Sequence, residues 1–339
     1  MTSRYSRQEL FAPIGKEGQK RLHTKHVLII GAGALGSANA ELLARAGIGK
    51  LTIADRDYVE WSNLQRQQLY CEADALERMP KAVAASRRLK AINSDVEIIP
   101  HITDVGAQEL EQLIKGVDLI IDGTDNFDIR LMINDISQKH RIAWIYGGCV
   151  GSYGLSFTIL PGTTPCLNCL LESMPLGGIT CDTVGVIQPA IHMVAAHQSA
   201  EALKILTDDL DSLNCKLVSF DLWKNQFRTI NVSSMKKASC PSCGEEQTYP
   251  FLSYDNQTKA AVLCGRDTVQ IRPGTIQTRN LDHLEKTLAG QGFKTNRNPY
   301  LLSFQVGSAR LVVFKDGRVF VHGIKDISEA KTLYHRYLG

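Results

Sequence analysis

A glycine-rich segment near the start of the chain has the residue types that bind a nucleotide phosphate. Gly31, Gly33 and Gly36 lie in the run GAGALG, directly after an apolar stretch. Between a strand and a helix, such a loop brings backbone N–H groups and a helix N-terminus close to phosphate oxygens. Asp55 follows the next apolar stretch, where a carboxylate can accept hydrogen bonds from ribose hydroxyls. These residues predict a nucleotide site, and taken alone they favour NAD.

Two cationic positions further along the chain favour a different nucleotide. Arg66 lies in the run NLQRQ with Asn63 and Gln67, and Lys81 follows Pro80. Arg binds phosphate through a bidentate fork and Lys binds it as a point charge, while the two amides add neutral hydrogen bonds. A dehydrogenase requires neither cation, so the pair suits a triphosphate better. The alternative is that each is an ordinary solvated surface residue.

The run DGTDN, which begins at Asp122, comes directly off another apolar stretch. Open α/β sheets bind their ligands at the carboxyl ends of the strands. Asp125 is therefore the candidate ligand for a Mg²⁺ that bridges nucleotide phosphates, with Asn126 beside it at the nucleotide. The run also suits the N-terminal cap of a helix from Phe127 onward, because Asp and Asn favour that position. The two interpretations are compatible.

Four of the nine cysteines form two Cys-x-x-Cys pairs, Cys166 with Cys169 and Cys240 with Cys243. Four thiolates can close a tetrahedral Zn²⁺ site that has no open position for water, so the pairs predict structural zinc rather than catalytic zinc. The alternatives are chance pairs of free thiols and a redox motif, and a redox motif leaves one of the pairs unexplained.

The pattern of apolar runs predicts the elements that position these residues. Through the first 150 residues, short β-branched runs alternate with stretches of helical periodicity, which is typical of an α/β fold with a doubly wound, Rossmann-like, mostly parallel sheet. The runs SYGLSFTIL and CKLVSFDL predict an antiparallel continuation, and they bracket a helix from about Gln188 to Leu206. A turn-rich stretch then predicts two domains, 1–248 with both sites and 249–339 as a small C-terminal α+β module.

Composition and charge argue against several classes of protein. The 339 residues carry a net charge of +3, which is too small to indicate nucleic acid or an anionic membrane as a partner. No apolar stretch approaches the roughly 18 residues of a membrane-spanning helix, and the first residues lack the apolar core of a signal peptide. Paired thiols without a secretion signal favour a reducing compartment. We therefore expect a cytoplasmic protein.

Taken in order, the glycine loop, the strand ending at Asp55, NLQRQ, the Pro-Lys pair, DGTDN and the paired cysteines resemble the ubiquitin-activating-enzyme superfamily. The resemblance covers about residues 1–247 and is strongest to the bacterial ThiF and MoeB sulfur-carrier adenylyltransferases. It implies that ATP activates the C-terminal Gly-Gly carboxylate of a small ubiquitin-like carrier as an acyl-adenylate. A sulfur donor then forms the thiocarboxylate. A ThiS-type carrier, for thiamin thiazole synthesis, is favoured, and a MoaD-type carrier, for molybdopterin synthesis, is the alternative.

The resemblance also implies roles for single residues. Arg7 matches an arginine that the partner subunit contributes, which implies a homodimer. Cys181 matches the position of a thioester or acyl-persulfide cysteine, although a spectator cysteine fits equally well. The remaining roles are ribose binding by Asp55, phosphate binding by Asn63, Arg66 and Lys81, and Mg²⁺ binding by Asp125.

Two features depart from the family pattern. Ala34 stands where the family's usual GxGGLG run has its third glycine, and this small change should leave the turn intact. The C-terminal module lacks the active loop of a rhodanese domain, since the run CGRD from Cys264 does not match it. We therefore expect sulfur to come from a separate protein, such as a cysteine desulfurase or a rhodanese, and the module to act in docking, dimer support or carrier recognition.

Two functions of other classes compete with this interpretation. An NAD-dependent oxidoreductase accounts for the glycine loop and Asp55 but leaves NLQRQ, Lys81 and the paired cysteines unexplained. A non-catalytic binding subunit is expected to have lost its nucleotide residues, whereas this chain keeps Arg7, Arg66, Lys81 and Asp125 together.

Overall fold

Five apolar runs of the first half form neighbouring parallel strands, as the sequence predicts. The computed structural model describes residues 4–173, 184–253, 260–262, 267–272 and 278–338. The first sheet contains β1 (His26–Ile30), β2 (Lys50–Asp55), β3 (Glu97–Ile102), β4 (Leu119–Asp122), β5 (Ala143–Val150), β6 (Tyr153–Ile159), β7 (Leu217–Asp221) and β8 (Gln226–Ile230).

The strand order in this sheet is β3-β2-β1-β4-β5-β6-β7-β8. Strands β1 to β5 pair in parallel and β5 to β8 pair antiparallel, so the predicted doubly wound sheet with an antiparallel continuation is confirmed. Every residue of β4 is buried, which is typical of a parallel strand covered on both faces.

Helices connect these strands and cover both faces of the sheet. They are α1 (Ser6–Glu9), α2 (Gly15–Leu22), α3 (Ala34–Ala46), α4 (Glu72–Leu76), α5 (Lys81–Ile92), α6 (Ala107–Leu113), α7 (Phe127–His140), α8 (Leu167–Ser173) and α9 (Gln188–Leu206). Short 3-10 turns lie at Trp61–Asn63, Leu210–Ser212, Ser233–Met235 and Pro250–Leu252.

The order of the strands reverses at β1, which has β2 on one side and β4 on the other. Ile30, at the end of β1, is in register with Ala54 of β2 and with Asp122 of β4. The loops that follow these three strands therefore begin side by side at the same edge of the sheet. In open α/β sheets, ligands bind at such a reversal of strand order.

Glycines allow the loops at this edge to touch. Gly31 has φ of +88°, a conformation that few other residues adopt. A Cβ on Gly36 would lie 1.7 Å from the carbonyl oxygen of Gly31, and one on Gly123 would lie 2.4 Å from the same atom. The turn into α3 and the loop after β4 therefore require glycine at these positions.

The middle of the first sheet is covered by α9. Ile191 and Val194 of this helix are fully buried and pack with Phe220 of β7. Gln198 adds a buried polar link, since its side-chain amide donates to the carbonyl oxygens of Asp122 (3.0 Å) and Ile145 (3.1 Å). Helix α9 therefore supports the end of β4, where the DGTDN loop begins.

In the last part of the chain, the described residues form a second sheet and two helices. Its strands are β9 (Ala260–Val262), β10 (Thr268–Ile271), β11 (Thr295–Arg297), β12 (Leu301–Val306), β13 (Ala309–Phe314) and β14 (Val319–His322), and its helices are α10 (Leu281–Gly290) and α11 (Ile327–Leu338). The strands are antiparallel in the order β11-β12-β13-β14-β10-β9. The predicted hairpin at Lys315-Asp316-Gly317 joins β13 to β14, and the small α+β module is confirmed.

The chain divides into two compact units near the predicted boundary. The first contains the described residues up to Ser253, and the second contains those from Ala260 onward. The assignment of separate functions to 1–248 and 249–339 stays a prediction. None of the described helices combines the length and the apolar composition that crossing a membrane requires.

Candidate active site and metal centre

Asp55 ends β2 and holds the glycine loop through its carboxylate. Its two oxygens accept hydrogen bonds from the backbone N–H of Ala32 (2.6 Å) and of Asp57 (2.6 Å). Burial raises the pKa of Asp55, while the Lys81 ammonium and the two N–H donors oppose that rise. Tyr70 braces the same loop, because its hydroxyl donates to the carbonyl oxygen of Ala32 at 2.6 Å. The residue predicted to bind ribose therefore adjoins the residues predicted to bind phosphate.

Lys81 begins α5 and brings a buried positive charge to this edge. The residue is 3% exposed, and its ammonium lies 3.2 Å from the Asp57 carboxylate. Its backbone N–H also donates to the carbonyl oxygen of Asp57. Pro80 directly precedes the helix, where its fixed φ suits the entry into a first turn. The sequence placed Lys81 in the site but did not identify Asp57 as its partner.

The NLQRQ run begins at Asn63, the last residue of the turn Trp61–Asn63. Asn63 is fully buried, and its side-chain oxygen accepts from the backbone N–H of Glu60 at 3.0 Å. Arg66 is half-buried and donates to the carbonyl oxygen of Ser62 at 2.7 Å, within its own loop. Asn63 Nδ2 and Gln67 Oε1 are buried, and neither has a hydrogen-bond partner among the described residues. Such unmatched polar atoms in a ligand loop fit a site that a polar ligand completes.

The DGTDN loop forms the predicted helix cap, and the Mg²⁺-binding role of Asp125 stays a prediction. Asn126 caps α7, since its side chain accepts from the backbone N–H of Asp128 (2.7 Å) and of Ile129 (3.4 Å). Asp125 is exposed beside this cap. Its carboxylate is free to face a ligand from the same edge of the sheet as the glycine loop, which Gly123 touches.

Two arginines at this edge were missed at the level of sequence. Arg56 lies 3.3 Å from the buried carboxylate of Asp104, which follows β3, and 4.0 Å from Asp57. Burial lowers the pKa of Arg56, but the Asp104 and Asp57 carboxylates outweigh burial and raise it overall. Arg130 of α7 is buried against Asp122. The sequence held a signal for each arginine. Arg56 stands between two aspartates at the end of a strand, and Arg130 lies on the apolar side of a helix.

The remaining candidates fall into two groups. Arg7 is exposed on the short helix α1. Cys181 and Cys264 lie in segments 174–183 and 263–266, outside the described residues. Their predicted roles stay predictions.

The paired cysteines converge on one point. The four sulfur atoms lie within 4.8 Å of one another, and all four residues are buried. The Sγ–Sγ distances are 3.7 Å between Cys166 and Cys240 and 3.6 Å between Cys169 and Cys243. A disulfide would need about 2.05 Å. A tetrahedral zinc with Zn–S bonds of about 2.3 Å needs sulfurs about 3.8 Å apart, so the spacing fits zinc.

Local structure supports this cluster. Hydrogen bonds from the Cys166 and Cys243 thiols, and to a lesser extent from the backbone N–H of Lys237, lower the pKa of the Cys169 thiol. Gly244 is required in the second loop, because a Cβ there would lie 2.2 Å from the carbonyl oxygen of Ala238. Four ligands from protein leave no position for water, so the cluster suits structural zinc.

Helix α7 connects the two sites. Its start carries the cap at Asn126, and its middle is bonded to the chain near each cysteine pair. The side-chain oxygen of Asn134 accepts from the N–H of Leu167 at 2.8 Å, next to the first cysteine pair. The carboxylate of Asp135 accepts from the N–H of Phe251 at 2.9 Å, beyond the second pair. The helix that begins just after the DGTDN loop is therefore bonded to segments near the cysteine cluster.

Comparison with known proteins agrees with this arrangement. A family model described as the ThiF family matches residues 5–242. The sulfur carrier protein ThiS adenylyltransferase of Bacillus subtilis is 54% identical over 341 aligned residues, covering 100% of both chains. The molybdopterin-synthase adenylyltransferase of Escherichia coli is 34% identical and covers 71% of this chain and 96% of its own.

The fold also matches a solved structure that contains ATP. The crystal structure of E. coli MccB with ATP has a TM-score of 0.63 and 22% sequence identity, and the match covers 72% of this chain and 74% of that chain. At this identity the likeness concerns the fold. With the family model and a full-length relative in agreement, the resemblance seen in the sequence is confirmed, and the chain belongs to the ThiF family.

Proposed function

We propose that this protein is an adenylyltransferase that uses ATP and Mg²⁺ to activate the C-terminal carboxylate of a ubiquitin-like sulfur carrier. The observation that carries this proposal is the 54% identity, over the full length of both chains, to a protein named as a ThiS adenylyltransferase. The cations at the reversal of strand order support it, because Lys81 lies buried beside the nucleotide loop.

In this reaction the chain's own residues bind and orient ATP. The N–H groups of the glycine loop and the start of α3 face the phosphates, and Asp55 accepts hydrogen bonds from the ribose. Lys81, Arg66, Asn63 and Gln67 hold the phosphate oxygens. Mg²⁺ supplies further positive charge that offsets the triphosphate, with Asp125 as its protein ligand.

The chemical step is the attack of the carrier carboxylate on the α-phosphorus of ATP. A carboxylate oxygen forms a bond to the α-phosphorus, the bond to the bridging β-phosphate oxygen breaks, and pyrophosphate leaves. Negative groups approach one another in this step, so fixed cations lower its barrier. Lys81 and Arg66 are the cations placed for this role, and we propose that Arg7 of a partner subunit is a third, in a homodimer.

We propose a ThiS-type carrier rather than a MoaD-type carrier. The relative named for ThiS aligns with the whole chain, whereas the one named for molybdopterin synthase aligns with 71% of it. The C-terminal unit would then serve docking, dimer support or carrier recognition. Sulfur would come from a separate donor, such as a cysteine desulfurase or a rhodanese, in the cytoplasm, and Cys181 is a candidate for carrying the acyl group covalently.

Isotopic labelling of the carrier tests the proposed reaction. Incubation with Mg²⁺, a ThiS-type carrier and ATP labelled at the α-phosphate should transfer label to the carrier, while ATP labelled at the γ-phosphate should not. Binding of NADH, followed by its fluorescence, serves as the control for the oxidoreductase alternative. Tight NADH binding without transfer of label would contradict the proposal.

A further inference from the structure

Arg130 is a buried arginine beside the DGTDN loop, and its guanidinium donates hydrogen bonds to three acceptors. Nε donates to a carboxylate oxygen of Asp122 at 2.8 Å. Nη2 donates to the carbonyl oxygens of Thr124 (2.6 Å) and Gly147 (2.9 Å). One side chain therefore joins the end of β4, the loop that follows it and the neighbouring strand β5.

The Asp122 carboxylate divides its hydrogen bonds between this arginine and the loop. One oxygen accepts from both the backbone N–H and the hydroxyl of Thr124, each at 2.9 Å. The other accepts from Arg130 and, at 3.4 Å, from the backbone N–H of Gly147. Asp122 is 0% exposed, so a nucleotide cannot reach it. The Asp122 carboxylate therefore holds the loop in place and does not bind a ligand.

These contacts fix the residue on each side of Asp125. Thr124 is tied to Asp122 and Arg130, and Asn126 is tied to the first turn of α7. Gly123 lies against the glycine loop, which sets the distance between the two loops. Asp125 is the exposed residue between two anchored ones, so their contacts hold its backbone in place and limit the directions that its carboxylate can take.

We propose that Arg130 is a positioning residue that sets the orientation of Asp125 toward Mg²⁺, acting through Asp122 and Thr124. This inference rests on the proposed function only where it takes Asp125 as the metal ligand. Residues that orient a metal ligand affect metal affinity without touching the metal, and their loss weakens it by about 10- to 100-fold.

A lysine cannot reproduce this arrangement, although it keeps the charge. The planar guanidinium donates in several fixed directions, whereas an ammonium is a single point of charge on a flexible stem. The rings of Phe127 and Tyr146 also contact the guanidinium, with centroids 5.2 Å and 5.1 Å from its central carbon. In Arg130→Lys the carbonyl oxygens of Thr124 and Gly147 would lose their shared donor.

Binding of Mn²⁺ in place of Mg²⁺ tests the inference without requiring turnover. The affinity of Mn²⁺ for the complex of the protein with a non-hydrolysable ATP analogue is measured from the electron paramagnetic resonance signal of free Mn²⁺. Arg130→Lys should weaken that affinity by about tenfold, while affinity for the analogue without metal stays near that of the wild type. The matched control is Arg318→Lys, which changes another buried, ion-paired arginine, beside Asp316 in the second unit.

The possible outcomes separate this inference from the proposed function. Unchanged Mn²⁺ affinity in folded Arg130→Lys, together with loss of affinity in Asp125→Asn, would overturn the positioning role alone. Wild-type affinity in Asp125→Asn would overturn the ligand role of Asp125 and the inference with it. If Arg130→Lys does not fold, Thr124→Val removes one hydroxyl bond to Asp122 and should weaken Mn²⁺ binding by about threefold, and no weakening there would overturn the inference.

Discussion

Lys81 shows how a single residue can be both buried and available to a ligand. Burying an ammonium is unfavourable unless an opposite charge accompanies it, and Asp57 at 3.2 Å supplies that charge. Asp57 also donates its backbone N–H to Asp55, so the cation is tied to the predicted ribose ligand through one residue. An incoming phosphate can therefore share the ammonium without moving it far.

Replacement of Lys81 is the most direct test at this scale. Lys81→Ala should reduce the rate of adenylate formation by about tenfold or more, because a charge that offsets the developing phosphate charge is lost. The measurement is kcat/KM for ATP in pyrophosphate exchange. Lys90→Ala, which changes an exposed lysine of the same helix, is the control and should keep the wild-type rate. A wild-type rate for Lys81→Ala would contradict the role assigned to Lys81.

The residues predicted from the sequence are those whose roles depend on local order along the chain. Asp55, Lys81 and Asn126 each lie at the end of a strand or the start of a helix, where residue type and position alone indicate a role. Arg56 and Asp104 were missed, because they are paired only by a tertiary contact. Arg130 was missed although Asp122 is eight residues away, because the sequence does not show that this arginine turns back toward the strand end. Asp104 meets Arg56 from a different strand, 48 positions away. No pattern of nearby residues announces such a pair.

At the scale of elements, two glycines of the glycine loop are required for different reasons. Gly36 faces the backbone of Gly31, so a side chain at that position collides with the fold itself. Gly33 has an open site by comparison, since its Cβ would lie 3.8 Å from the carbonyl oxygen of Gly123. Its glycine instead suits the close approach of a phosphate to the backbone.

This difference predicts that two similar substitutions act on different quantities. Gly36→Ala should lower the Tm, because a Cβ 1.7 Å from a backbone oxygen forces the turn to move. Gly33→Ala should keep the Tm within a few degrees and weaken ATP binding, measured by calorimetry, by about tenfold. Ala34→Gly is the control and should bind ATP as the wild type does. Equal ATP affinity in Gly33→Ala and wild type would show that phosphate does not approach this backbone.

The zinc cluster has a structural role, in which it joins secondary-structure elements, and not a catalytic one. It joins the start of α8 to the turns around Cys240 and Cys243. Leu167 at the start of α8 and Phe251, further along the chain from the second pair, are hydrogen-bonded to Asn134 and Asp135 in the middle of α7. The spacing within each pair was enough to predict this site, because two Cys-x-x-Cys runs supply a complete ligand set. Its attachment to α7 depends on buried polar contacts that the spacing does not reveal.

Metal analysis of protein purified without chelator should therefore find one zinc per chain. Removing the zinc, or substituting Cys243→Ser, should lower the Tm, because binding free energy contributes to folding at such sites. Cys215→Ser changes a cysteine outside the cluster and should retain the metal. Zinc-free protein with the same Tm as the purified form would contradict the structural role.

For the whole molecule, the proposed homodimer depends on Arg7. The residue is exposed on a helix of four residues, which fits a group that acts on another subunit. Each subunit would then supply most of one site and a single arginine of the other. In this arrangement, a subunit is active only when it is part of the dimer.

Mixed dimers test this directly. Arg7→Ala and Asp125→Ala should each be inactive alone, and mixing them under conditions of subunit exchange should restore part of the wild-type activity. The restored sites are those that combine an intact Asp125 with an intact Arg7 from its partner. Absence of recovery, with subunit exchange shown by mass spectrometry, would contradict a role for Arg7 across the dimer.

The second unit is the part of the chain on which the proposed choice of carrier rests. The first unit matches the family model, whereas the second lies outside residues 5–242 and aligns with the B. subtilis relative. The sequence predicted an α+β module there, because hairpin and helix signals are local. The sequence left docking, dimer support and carrier recognition open as its role, since no cluster of reactive residues in that part of the sequence indicates a reaction.

The central claim is that this protein adenylylates a ThiS-type carrier, and ATP–pyrophosphate exchange tests it most directly. The purified protein is assayed with Mg²⁺ and either a ThiS-type or a MoaD-type carrier, each with and without its last glycine. We expect exchange with the ThiS-type carrier that disappears when its last glycine is removed. Exchange with the MoaD-type carrier alone would contradict the carrier assignment, and no exchange with either carrier would contradict the proposed reaction.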